Sequence, residues 1–159
     1  MPNTVRFVLA IVGAIALYAW TLESAVAQAP NTFEIVITGG PHAGTYKPPV
    51  SDVICVHVKQ HQFSVGFKNF DAPAPNKLSE AGINIDNPDA AVAKTGEVRV
   101  SFGDPKKSPT VYDLFIPRDS KGPLTFARAG KSADLTFQGQ TKDGVQLRLS
   151  AKCLDIDEF

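Results

Sequence analysis

From Phe33 onward, apolar and polar side chains alternate along the chain. Phe33, Ile35 and Ile37 are separated by Glu34, Val36 and Thr38, the period-two pattern of a strand with one buried face. The run Gly39 to Gly44, with Pro41 inside it, ends that pattern. Val53–Val58 is rich in β-branched residues, and Phe63, Val65 and Phe67 alternate again, which predicts a hairpin turning at Lys59–Gln62. Val98, Val100 and Phe102 repeat the pattern with Glu97, Arg99 and Ser101 toward water, until Gly103, Asp104 and Pro105 stop it. Tyr112, Leu114 and Ile116 share a face, and Leu124 with Phe126 marks a short strand. The clearest hairpin comes last: Leu135 and Phe137, a turn at Asp143 and Gly144, then Val145, Leu147, Leu149 and Ala151.

No stretch beyond the N-terminal segment spaces its apolar residues for a helix of three turns. Strands separated by turns predict an all-β fold, an antiparallel β-sandwich or small β-barrel of about eight strands. The exception is Asn69–Gly96, which holds Pro73, Pro75 and Pro88 and alternates only at Ile83 and Ile85. It reads as a long connection with a short helical turn at Ser79–Ala81 or Asp89–Ala93, the place where a partner would touch.

The first residues follow a different rule. Arg6 precedes an apolar run, Phe7–Trp20, which is short for a membrane span, and Ala25, Val26 and Ala27 form an A-x-A site. Residues 1–27 are therefore expected to be a cleavable export signal peptide, leaving residues 28–159 as a single β domain beginning at Gln28. No second apolar run of span length follows, so no membrane span is expected after processing. The product is expected to be soluble and exported, periplasmic or extracellular. The whole chain of 159 residues, 43% hydrophobic, suits one core, and its 16 basic and 16 acidic residues balance. That balance gives no electrostatic footprint for nucleic acid.

Export bears on the two cysteines. Cys55 and Cys153 are an even pair in a chain bound for an oxidising compartment, and Cys153 shares the inward parity of Val145, so one structural disulfide joining an early strand to the C-terminal one is expected. No C-x-x-C motif favours redox or metal chemistry.

Candidate chemistry is sparse. The spacing of His57 and His61 would place both rings on one helix face and could hold zinc there, but a strand and turn separate them. His57 is expected to flank the disulfide, His61 to sit at a hairpin tip, and His42 to lie in the glycine-rich turn. Asn84, Asp86, Asn87 and Asp89 carry oxygens of the kind calcium takes, without the EF-hand arrangement. Gly39–Gly44 opens no helix and so lacks the amides of a phosphate loop. Asp113, Asp134 and Asp143 offer no preferred carboxylate pair, and G-x-S-x-G is absent. No catalytic, cofactor-binding or metal residue is assigned, and no cofactor is expected. The expected function is an exported, soluble, non-enzymatic binding or interaction module with a protein or glycan partner. The alternatives are a carrier of a small apolar ligand, or a hydrolase or metal-assisted enzyme using His57 or His61 with carboxylates from the Asn69–Gly96 segment.

Overall fold

The structure is a computed structural model and describes residues 30–71, 74–89 and 94–159. Residues 1–27 and Gln28, and with them the expected signal and its cleavage, lie outside the described residues. Eleven strands form: β1 Thr32–Thr38, β2 Gly44–Tyr46, β3 Val53–Val58, β4 Gln62–Lys68, β5 Leu78–Asp86, β6 Thr95–Phe102, β7 Thr110–Ile116, β8 Thr125–Ala129, β9 Ser132–Gln140, β10 Gln146–Cys153 and β11 Asp157–Glu158. They make a five-stranded sheet in the order β2-β1-β10-β9-β8 and a six-stranded sheet in the order β11-β3-β4-β5-β6-β7. All neighbours run antiparallel except β11, which lies parallel to β3.

The two sheets pack face to face as a sandwich. Alternation puts Ile35, Phe137 and Leu149 of one sheet against Phe63, Ile83, Val100 and Leu114 of the other, and all are fully buried. The space between the sheets is thus filled by side chains. Gly139 on β9 makes room for this packing: a β-carbon there would lie 2.6 Å from both Leu114 Cδ2 and the Phe137 ring. The expected turn at Asp143–Gly144 forms, with Gly144 at a φ of 84°.

Three strands were not legible in the sequence pattern: β2, β5 and β11. The middle one corrects the reading of Asn69–Gly96, for β5 occupies nine of those residues and pairs with both β4 and β6. Ser79–Ala81 is extended rather than helical, and the second candidate turn runs from Asp89 into residues 90–93, which lie outside the described residues. The inward positions of β5 are Ser79, Ala81, Ile83 and Ile85. Small residues at the first two hide its periodicity, and the buried Ser79 hydroxyl is satisfied by donating to the Ser101 carbonyl at 3.1 Å. Ser101, expected to face water, is buried, beside a register shift between Leu78 and Glu80.

Cys55 and Cys153 are bonded across the sandwich, β3 to β10, 98 positions apart with their Cα atoms 6.1 Å from each other. Just beyond the disulfide, Asn31 ties down the C-terminal segment. Its Oδ1 accepts the Leu154 and Asp155 N–H groups at 2.8 and 3.2 Å, and its Nδ2 donates to the Asp155 carbonyl at 3.2 Å. Ile156 then enters the core and β11 covers the β3 edge. No helix among the described residues is long and apolar enough to cross a membrane.

Candidate functional site

The structure separates most of the residues that carry candidate chemistry. His61 sits in the β3–β4 turn, while His57 is buried on the inner face of β3, near Cys55 in the same strand. His57 Nε2 lies 3.2 Å from Asp89 Oδ2, and Arg128 approaches the same carboxylate at 3.8 Å while also pairing with Glu158. This network links β3, the segment after β5, β8 and β11. It brings His57 and a carboxylate of Asn69–Gly96 together, yet its recorded partners are charged groups rather than a hydroxyl or thiol nucleophile. Asn84 donates its amide to Glu97 at 3.1 Å and Asp86 accepts from Thr95 at 3.2 Å, so both are engaged with β6. Among the described residues no group of three or more His, Cys, Asp or Glu could hold a metal ion. Asp113 and Asp134 lie on different sheets, and Asp143 occupies the β9–β10 turn. His42 is buried, its ring stacked on Phe102 at 4.1 Å between centroids.

A different feature emerges at the free edge of the six-stranded sheet. Strand β7 has β6 on one side only. Phe115 donates its N–H to Asp119 Oδ2 at 2.8 Å, and its carbonyl accepts the Asp119 N–H at 2.9 Å. Phe115 therefore points its backbone away from β6. In an antiparallel ladder the direction alternates residue by residue, so Thr110, Tyr112, Leu114 and Ile116 bond to β6 while Val111, Asp113 and Phe115 face outward. Asp119 occupies the last of these. Val111 and Asp113 have no backbone hydrogen-bond partner recorded among the described residues, leaving two N–H and two C=O groups open.

These groups face a cleft of about 760 Å³, bounded across from β7 by the turn Gly39–Pro41 and by the β9–β10 hairpin tip, Thr141–Val145. Two structural details shape it. Gly39 and Gly40 have φ values of 83° and 73°, and a β-carbon on Gly40 would lie 3.0 Å from Val145 Cγ2, so glycine lets the turn settle against the hairpin. At the other end, the Arg118 guanidinium lies 4.5 Å over the Phe115 ring and also grips Asp119 at 2.8 Å. That hydrogen bond and the one from the Phe115 N–H hold the Asp119 carboxyl down from 3.8 to about 2. Inside the wall, Tyr112 is 7% exposed, and its hydroxyl has no hydrogen-bond partner among the described residues. Burial pushes its phenol pKa up.

The sequence pattern shows none of this: it places Tyr112 in the core, offers Asp113 only as a carboxylate without a preferred partner, and singles out neither Val111 nor Asp119. The available signal was the aspartate four positions after Phe115, just past Pro117, but its meaning depends on β7 being an edge. Other open clefts lie on outer sheet faces. One of about 500 Å³ runs over β1, β9 and β10 beside the Glu34–Lys47 pair, and one of about 320 Å³ lies over Gly66 and Gly82. No family model, curated protein or solved structure matches the chain.

Proposed function

We propose that this protein is an exported binding module that takes up an extended segment of a partner polypeptide by strand addition along β7. The observation that carries the reading is the pair of outward-facing residues, Val111 and Asp113, whose unpaired backbone groups border the largest of the described clefts. Open N–H and C=O groups on a sheet edge are satisfied by another extended backbone, and main-chain hydrogen bonds then supply affinity while side-chain pockets supply selectivity. Asp119 limits the exchange to the first part of the strand and so sets where the added segment must stop. The filled core speaks for binding at an edge rather than for carriage of an apolar ligand inside the sandwich. The disulfide is compatible with an oxidising compartment, and together with the N-terminal sequence it supports export to the periplasm or beyond.

The test is a selection of displayed random peptides on the immobilised protein and on its Val111→Pro variant. Proline removes the outward N–H without touching the bonds to β6, and an edge strand tolerates it. The wild type should enrich peptides that alternate apolar and polar residues, and the variant should retain its folding midpoint but fail to bind them. Equal binding by the variant, or no enrichment by the wild type, would overturn the proposal.

A further inference from the structure

We infer that the added segment carries a long, neutral hydrogen-bonding side chain, glutamine above all, at the position opposite Tyr112. This inference rests on strand addition at β7. Directly opposed residues on neighbouring strands project to the same face. Tyr112 faces inward, so the residue opposite it also projects between the sheets, alongside the Tyr112 ring and toward Gly40 and Val145.

What waits there is an unsatisfied hydroxyl. The Tyr112 side chain is more than nine-tenths buried, and its oxygen, closed to solvent, has no hydrogen-bond partner among the described residues. A β-carbon on Gly40 would lie 3.6 Å from that oxygen, and the adjacent Val145 contributes only methyl groups. Gly39 and Gly40 bring no side chain of their own to the hydroxyl.

Three properties of the occupant follow. It must be long, because an alanine or serine opposite Tyr112 stops partway along the ring. It must both donate and accept, because a phenolic hydroxyl can do either, and a carboxamide offers both from one end. It must be neutral, because among the described residues no charged group pairs with the Tyr112 hydroxyl, and a buried charge without a partner is strongly disfavoured. A leucine of similar size would fill the space while leaving the hydroxyl orphaned, so discrimination comes from the hydrogen bond and not from volume.

The experiment uses two capped synthetic heptapeptides, Thr-Val-Thr-Gln-Thr-Val-Thr and its counterpart with leucine at the centre, titrated calorimetrically into the wild-type protein and a Tyr112→Phe variant. The wild type should bind the glutamine peptide roughly tenfold more tightly, the effect of one hydrogen bond to a buried group. Tyr112→Phe should keep its affinity for the leucine peptide and lose the preference. Equal affinities for the wild type, or a preference that persists in the variant, would overturn the inference while leaving strand addition standing. Failure of the wild type to bind either peptide would remove strand addition and the inference together. The wild-type comparison decides even if the variant does not fold.

Discussion

At single positions, alternation gives burial well but says little about what a residue's absence of side chain permits. Ile35, Phe63 and Leu149 lie where their parity puts them, and so does Cys153. Gly139 was one glycine among several in the sequence, and only the packing of Leu114 and Phe137 over it shows why no larger residue fits. A Gly139→Ala substitution should destabilise the fold by about 1 to 3 kcal/mol through overpacking, measured as a lowered denaturation midpoint with an unchanged slope. An unaltered midpoint would mean that the two sheets can separate locally without cost. The Tyr112 hydroxyl belongs to the same class of hidden detail, because parity predicts its burial and gives no hint that it lacks a partner among the described residues. His57 and Asp89 meet although they are 32 positions apart, a contact no spacing rule encodes.

Strands with large inward residues were legible, whereas β5 was masked by Ser79 and Ala81 and by the prolines that precede and follow it. The two-residue β11 has no pattern to detect, and β2 is only one residue longer. Edge identity was equally hidden, for β7 has the same alternation as a central strand and only the sheet order makes its outer side free. Asp119 is what this edge uses to shorten itself. Replacing it in Asp119→Ala should free the Phe115 N–H, cost about 1 kcal/mol of stability, and lengthen the open edge. Peptide affinity and self-association should both rise, read by titration and by sedimentation. Unchanged values for both would mean that the cap does not guard the edge. The pH dependence has a definite sign. A carboxyl held at about 2 instead of its ordinary 3.8 favours the folded state above pH 3.8, and the benefit is lost as pH falls through the window down to about 2. The cap should therefore open on strong acidification and not near neutrality.

For the molecule as a whole, the all-β class and its staple were readable from the recurring strands, the turn residues and the parity of two cysteines, while the choice between sandwich and barrel was not. The arrangement of edges was not, because strand order arises from contacts far apart in the chain. The Cys55–Cys153 bond ties the two sheets together and lies next to the Asn31 clamp on the C-terminal segment. A Cys55→Ala/Cys153→Ala variant should lose ~2 to 5 kcal/mol of stability in chemical denaturation, and an unchanged midpoint would remove the bond as a determinant of the fold. Peptide binding by the molecules that remain folded should persist, since β7 lies at the opposite edge of its sheet from β3 and β11. The most direct test of the β7 edge is residue-resolved amide hydrogen exchange, with and without a saturating selected peptide. The Val111 and Asp113 amides should exchange rapidly in the free protein and slow markedly in the complex, while Phe115, held by Asp119, stays protected in both. Slow exchange at Val111 and Asp113 in the free protein, or new protection only at other strands, would contradict strand addition at this edge.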